Sequence, residues 1–291
     1  MDIGVVLPQN EIGHDTAAVL AFARRADELG YSHLLAYDHV LGADRQVHDE
    51  LDGPYGLEDS FREPFVLFGH LSAITSMSFA TAILIAPQRQ TALIAKQAAE
   101  VDLLSGGRLR LGCGIGWNRV EYEALGQAFA GRGDRLAEQV ALLRALWTEE
   151  QVSMTVGGER VLAAGLAPLP IQRPIPIWIG ALAPAALRRV GQLADGWFPM
   201  SFPGGGLDEA WGIVAEAARE AGRDPRHIGM EGQVPASSSD PARTAALAER
   251  WEAAGASHLS VNTLGQGLAG IDEHLAGIEA AARSLGVSPR R

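Results

Sequence analysis

The chain has 291 residues, 47% of them hydrophobic and 20% charged, and carries a formal net charge of −11. A chain of this length buries about 75% of the surface that its unfolded form exposes, so the composition excludes disorder and leaves room for a large core. The negative charge argues against non-specific nucleic-acid binding and against an anionic membrane surface, and no stretch reaches the ~20 apolar residues that span a bilayer.

Cys113 is the only cysteine and Lys96 the only lysine. A single cysteine excludes an internal disulfide framework and a cysteine-based metal cluster. The N-terminus opens directly into an apolar, strand-like run with no basic leader, so the expected compartment is the cytoplasm.

In chain order, short β-like runs alternate with longer helical patterns, the mark of a parallel α/β fold. Residues 3–7 form the first strand. Asp15 or Thr16 then caps a helix whose apolar positions Val19, Leu20, Ala23, Ala26 and Leu29 keep a helical period and stop at Gly30. Residues 33–37 are the second strand, and residues 42–62 a polar loop long enough to point to function or mobility. Pro64 opens a helix to about Thr75, and residues 79–85 are an unbroken apolar third strand. A helix over 91–104, a fourth strand over 108–113 and helices over 119–125 and 134–147 follow.

Residues 149–173 break the rhythm: 152–156 and 159–162 flank Gly157-Gly158 as a hairpin, followed by a proline-punctuated return. The alternation then resumes with strands over 175–179, 196–199, 228–234 and 257–261, and helices over 185–193, 207–221, 241–254 and 271–285. Eight strand–helix pairs fit a closed barrel better than an open sheet. The glycine-rich segment at 112–116 follows the fourth strand rather than the first, which disfavours a dinucleotide-binding fold. The expectation is one α/β domain over residues 1–291, a (β/α)8 TIM barrel with a short insertion near 149–173 and a long loop after the second strand.

Loops at the C-terminal ends of the strands build the active site of such a barrel. The candidates are Gln9 and Asn10 after the first strand, Asp38 and His39 after the second, and Arg89 after the third. Residues 112–118 follow the fourth, Gly180 and Ala181 the fifth, and Trp197, Pro199 and Ser201 the sixth. An aspartate at a strand end accepts hydrogen bonds from a ring N–H, and a histidine transfers a proton near neutral pH. The alternative reading makes Asp38 a turn cap and His39 a wall residue.

Gly112 and Gly114 permit close backbone approach to a flat ring or a phosphate, although tight βα turns use glycine too. Asn118 either holds a polar cofactor tail or N-caps the next helix. Cys113, at the end of a buried strand, reads as a small core residue rather than a nucleophile. Gly180 and Ala181 offer free N–H groups ahead of a helix that carries Arg188 and Arg189, and Arg89 is the better placed residue to meet a phosphate or carboxylate. Metal-protease, nucleophile-elbow and phosphate-loop signatures are absent, and no metal site is expected.

Several segments, in order, resemble the luciferase-like monooxygenase superfamily. They are Gly4-Val5-Val6-Leu7-Pro8, Ala26-Asp27-Glu28-Leu29-Gly30-Tyr31 leading to Tyr37-Asp38-His39, and Ala86-Pro87-Gln88-Arg89. A longer block joins Ala95-Lys96-Gln97 and Leu103-Leu104-Ser105-Gly106-Gly107-Arg108 to Gly112-Cys113-Gly114-Ile115-Gly116-Trp117-Asn118. Pro174-Ile175-Pro176-Ile177-Trp178-Ile179-Gly180 and Ala194-Asp195-Gly196-Trp197 complete the match, which covers about residues 1–200.

Within the superfamily the sequence is more similar to the branch using the deazaflavin coenzyme F420. That resemblance implies hydride exchange between the deazaflavin and a small organic substrate. It makes His39 the catalytic proton donor or charge stabiliser and brings Asp38 to the ring edge. It also places Ala82 and Ile83 on a third-strand bulge that in relatives carries a non-prolyl cis peptide behind the ring. Gly112, Cys113, Gly114 and Asn118, with Ile179, Gly180 and Ala181, are the remaining cofactor contacts it implies.

Two alternatives share the fold: an FMN-dependent monooxygenase using reduced flavin and O2, and a non-catalytic flavin-binding barrel. Expected partners are a small-molecule substrate, a second copy of the chain in a homodimer, and a flavin or F420 reductase. The sequence departs from the family pattern in having Ala181 where a second glycine is usual and no tryptophan over 40–45, which argues against a sugar-phosphate substrate.

Overall fold

The computed structural model describes residues 1–236 and 238–289. Strand β1 (Asp2–Val6) leads through a short helix α1 (Gln9–Ile12) to α2 (Thr16–Leu29). Asp15 starts α2 by accepting the N–H groups of Ala17 and Ala18, and Gly30 ends it at φ 94°, where a side chain is disfavoured. Then come β2 (His33–Ala36), the loop over 42–62 and α3 (Pro64–Leu71). Helix α3 stops short of the expected Thr75. The hydroxyls of Ser72 and Thr75 turn back onto the carbonyls of Gly69 and Leu71, a local alternative to continued helix.

The third stave of the sheet is not continuous. It divides into β3 (Ser78–Thr81) and β4 (Leu84–Ile85), and the peptide bond Ala82–Ile83 between them is cis. Phe79 pairs with Leu109, an offset of 30, whereas Leu84 pairs with Cys113, an offset of 29. One extra residue is therefore accommodated at 82–83, a bulge of the kind that re-aims side chains next to functional sites. Helix α4 (Thr91–Ser105), strand β5 (Leu109–Gly114) and helices α5 (Arg119–Ala124) and α6 (Arg132–Thr148) follow.

The expected insertion is an antiparallel hairpin of β6 (Val152–Val156) and β7 (Glu159–Ala164). Strand β8 (Ile177–Ala181) begins two residues later than expected. Pro176 lacks an N–H and joins the sheet only as the acceptor of Leu111 N at 2.9 Å. The chain ends with α7 (Pro184–Leu193), β9 (Gly196–Pro199), α8 (Leu207–Glu220), β10 (Gly229–Pro235), α9 (Pro241–Ala253), β11 (His258–Asn262) and α10 (Ile271–Leu285).

The nine-stranded sheet runs β3-β2-β1-β11-β10-β9-β8-β5-β4, and a further β3–β5 pairing closes it. Because β3 and β4 form one stave, this is a closed eight-stave parallel barrel ringed by helices, the (β/α)8 architecture. Side chains alternate across the wall. On β5, Leu109, Leu111 and Cys113 enter the apolar layer beneath the helices, while Arg110, Gly112 and Gly114 face the interior.

Inside the barrel, Val6, Leu35, Ala80, Trp178 and Phe198 form a separate apolar plug. Trp178 fills the lumen only because its neighbours lack side chains. A Cβ on Gly196 would lie 2.2 Å, and one on Gly229 2.7 Å, from the indole. Below the plug sits a polar cluster built on the buried Glu231, which accepts from Ser260 Oγ at 2.5 Å and Arg110 Nη1 at 2.9 Å and contacts His33 Nε2 at 2.7 Å. No helix of the described residues is long and apolar enough to cross a membrane.

Candidate functional site

His39 stands at the C-terminal mouth, three residues beyond the end of β2. Its Nδ1 lies 3.2 Å from Glu121 Oε2, and the side chain is only 10% exposed. Phe61, Tyr55 and Trp117 meet its ring edge-on at centroid distances of 4.7, 5.3 and 5.6 Å. Two of these aromatics come from the loop over 42–62, so that loop folds over the mouth. Its Gly53 packs so closely that a Cβ there would sit 2.2 Å from the Trp117 ring.

Glu121 was not foreseen from the sequence. Asn118 N-caps α5 by accepting from Val120 N at 3.1 Å and Glu121 N at 3.3 Å, which puts Glu121 in the first helical turn. The Asn-x-x-Glu spacing is that of a capping box, but the glutamate does not fold back on its own helix. Instead it accepts from the backbone N–H groups of Val40 and Leu41 and from Gln88 Nε2. Burial acts to raise its pKa, yet the hydrogen bond and charge of His39, with the two backbone donors, hold it below the ordinary glutamate value. The sequence signal marked a helix start, and only the fold shows that this start faces His39.

Asp38 is buried beside the third stave. Its carboxylate accepts from Ile85 N at 3.1 Å and pairs with Arg89 Nη2 at 2.8 Å. Burial pushes its carboxyl above the ordinary aspartate value despite these two partners. Arg89 also lies 3.5 Å from Glu63, so its guanidinium is shared between two of the protein's own carboxylates, carboxylate being one of the two partners expected for it. Asn118 takes the capping role, and its remaining donor reaches Leu41 O at 3.3 Å.

The mouth also has a small-residue floor. A Cβ on Gly114 would fall 2.2 Å from Ile83 Cδ1, and one on Gly180 would fall 3.1 Å from Ile83 Cγ2. Ile83 therefore lies flat across both glycines at the interior of the mouth, next to Ala82. Gly112 sits deeper. A Cβ there would lie 1.9 Å from Thr81 O, so its glycine serves strand packing.

Cys113, Ile179 and Ala181 point the other way, into the layer beneath the helices, with exposures of 0%, 1% and 3%. Any contact from them with a ligand in the mouth runs through backbone. Burial, with the charge of Asp38, pushes the Cys113 thiol up to about 12. Ser201, beyond β9, buries a hydroxyl that has no hydrogen-bond partner among the described residues.

Positive charge gathers at the rim where α6 and α7 begin. Arg119 and Arg132 stack on Phe129 at 5.0 and 3.7 Å, and Arg189 reaches the first turn of α6, where a Cβ on Gly133 would lie 2.6 Å from its Nη2. Arg188, a second sequence candidate, lies instead on the exposed flank, 3.4 Å from Glu220. Among the described residues no three histidine, cysteine, aspartate or glutamate side chains gather as metal ligands do.

Residues 1–284 match the luciferase-like monooxygenase family. The chain belongs to the luciferase-like monooxygenase family. An uncharacterized protein of Mycobacterium bovis is 34% identical over 218 residues, covering 72% of this chain and 74% of that one. The F420-dependent hydroxymycolic acid dehydrogenase of Mycobacterium tuberculosis is 28% identical over 257 residues, 86% of this chain and 66% of its own. Among solved structures, the monooxygenase RslO1 of Streptomyces bottropensis superposes with a TM-score of 0.78 at 18% identity, covering 98% of both chains. The family is one of oxidoreductases with both F420-dependent and monooxygenase members.

Proposed function

We propose that this family member is an F420-dependent oxidoreductase that works at the C-terminal mouth of its barrel. The observation that carries the reading is the pair His39 and Glu121, a proton-handling histidine oriented by a buried carboxylate at the C-terminal mouth of the barrel. An ionised Glu121 is only an acceptor, so the His39 nitrogen facing it carries the hydrogen. In the neutral ring Nε2 is then the atom that takes a proton, and in the charged ring the atom that gives one.

The residues present fit a planar, anionic cofactor. Gly114 and Gly180 lack the side chains that would displace Ile83, which leaves a low surface for a flat ring. Arg119, Arg132 and Arg189, near the amino end of α6, favour a phosphate or an acidic tail at the rim, in a chain whose net charge is −11. A bound deazaflavin supplies a carbon that donates or accepts a hydride. The protein's own part is to orient that ring, to shield the site from water with Tyr55, Phe61 and Trp117, and to move a proton at His39. The F420-dependent relative at 28% identity supports the choice of cofactor.

Homodimerisation belongs to the same proposal. Val66 on α3 and Leu93 and Leu104 on α4 are 72%, 51% and 57% exposed, an apolar surface on adjacent helices. Titration of the purified protein with oxidised F420 and, in parallel, with FMN tests the function, read by intrinsic tryptophan fluorescence. F420 binding at micromolar level or tighter, with weak FMN binding, is the expected result. The reverse preference moves the protein to the flavin monooxygenases with a reductase partner, and binding of neither removes the redox reading.

A further inference from the structure

A cavity of about 400 Å3 lies between the loop that follows β9 and the helix α9. Arg243, Leu247, Arg250 and Trp251 line one wall, at spacings that place them on a single helical face. Phe202 and Pro203 form the other wall. Trp251 is pinned by its Nε1–H, which donates to Gln233 O at 3.2 Å, and meets Phe202 edge-on at 6.2 Å. Phe202 is nonetheless 61% exposed and Met200, on the same loop, 64%. Large apolar surface is thus left open around a walled depression, the arrangement expected of a ligand site rather than of scattered surface residues.

Gln233 is common to the cavity lining and the barrel interior. Side chains of β10 alternate, and Glu231 and Gln233 face the barrel interior. The Gln233 side-chain oxygen accepts from Tyr37 Oη and from Asn262 Nδ2, each at 3.3 Å, while the same residue lines the cavity. Arg243 and Arg250 are the only charged residues lining it among the described residues, and both are exposed. Arg250 also ties the loop down by donating to Pro203 O. An apolar pocket with two guanidinium groups at its edge fits an apolar body that ends in an oxyanion, and its mostly hydrocarbon lining favours a carboxylate among these.

We propose that this cavity is a recognition subsite for a carboxylate-bearing apolar molecule, seated with its hydrocarbon against Trp251 and Leu247 and its carboxylate toward Arg243 and Arg250. Its assignment to the substrate rests on the redox reading of the mouth, whereas the binding itself does not. The substrate class that follows is an apolar acid, anchored at the rim with the rest of the molecule directed past Gln233 to the mouth.

The test is calorimetric titration of the full chain, without cofactor, using octanoate and the uncharged 1-octanol. Octanoate is expected to bind at least about tenfold more tightly than octanol, since a charge-assisted hydrogen bond is worth about that factor. Arg243→Gln, an exposed position where folding is not at risk, should remove most of that preference and leave octanol binding unchanged. Leu247→Trp, which fills the cavity, should abolish both.

Equal binding of the two probes, no binding, or an octanoate affinity indifferent to Arg243→Gln and Leu247→Trp overturns the proposal. Displacement of octanoate by F420 or FMN would hand the cavity to the cofactor and overturn the substrate assignment. Arginine-dependent octanoate binding in a protein that binds neither cofactor would sink the redox reading and leave the carboxylate site standing.

Discussion

His39 Nδ1 and Glu121 Oε2 lie 3.2 Å apart although 82 residues separate them in the chain. The barrel brings the end of β2 and the first turn of α5 to the same rim, and the glutamate fixes the ring by accepting its hydrogen. The native protein should therefore show His39 as the Nδ1–H tautomer, measurable from its ring nitrogen chemical shifts. Glu121→Gln keeps an oxygen for the Val40 and Leu41 N–H groups but turns an amide NH2 toward His39 and Gln88 Nε2, so it should mix the tautomers and cost about 1–3 kcal/mol in denaturant unfolding. A native Nε2–H tautomer would remove the orienting role from Glu121.

The floor of the mouth makes a separate prediction. Gly114→Ala places a methyl group 2.2 Å from the end of the Ile83 side chain, whereas Gly180→Ala meets Ile83 at 3.1 Å. The first substitution must push Ile83 aside and should weaken cofactor binding about tenfold or more, and the second should do so less. Because the clash is with a side-chain end, Ile83→Ala should restore binding to Gly114→Ala, with a coupling of about 0.5–3 kcal/mol in a double-mutant cycle. Additive effects of the two substitutions would show that Ile83 does not carry the penalty.

Cys113 gives a test of burial. With a thiol pushed up to about 12 and no exposed surface, it should resist a disulfide reagent at pH 8 in the folded protein and react only when the chain opens. Reaction should accelerate in urea in step with unfolding. Rapid labelling of the native protein would place the thiol at the mouth instead of beneath the helices.

The alternation of strands and helices was legible because each element carries its own period and its own stops, as with Asp15 and Gly30 around α2. The apolar run over 79–85 by itself reads as one continuous strand, since apolarity does not record a register shift, and the bulge with its cis peptide at Ala82–Ile83 was legible only through the family resemblance. Hydrophobic pattern locates the wall but not which side each residue faces. Gly112 to Gly114 were therefore grouped, although Cys113 points outward and the two glycines inward. The loop position of Arg89 marks it as an anion partner, but not that Asp38 and Glu63, distant in sequence, are the carboxylates it meets. Glu121 was missed for a related reason: its spacing from Asn118 reports a helix start, and its partner is supplied by another strand.

The base of the barrel offers a pH-dependent prediction at a distance from the mouth. Burial acts to raise the Glu231 pKa, but the charges of His33 and Arg110 and the hydrogen bonds from His33 and Ser260 hold it well below its ordinary value of 4.5. As pH falls below 4.5, the unfolded chain takes up a proton that the folded chain refuses. The stability from this group is therefore complete above that pH and is lost as pH drops toward the folded value.

His258, packed near Arg110, Glu231, His33 and Asp2, acts in an earlier window. Burial, with the charge of Arg110, pushes its pKa down from 6.5 to about 4, so its protonation opposes folding as pH falls between those values. Two separable losses should thus appear in unfolding free energies measured from pH 7 to pH 3. Glu231→Gln should cost about 3–5 kcal/mol at pH 7, because Arg110 then lacks its buried partner. It should keep the loss between pH 6.5 and 4 and flatten the one below 4.5. His258→Gln should do the opposite, removing the upper limb and leaving the lower. A Glu231→Gln deficit equally large at pH 3 and pH 7 would mean that the folded barrel does not hold the Glu231 carboxyl below its ordinary value.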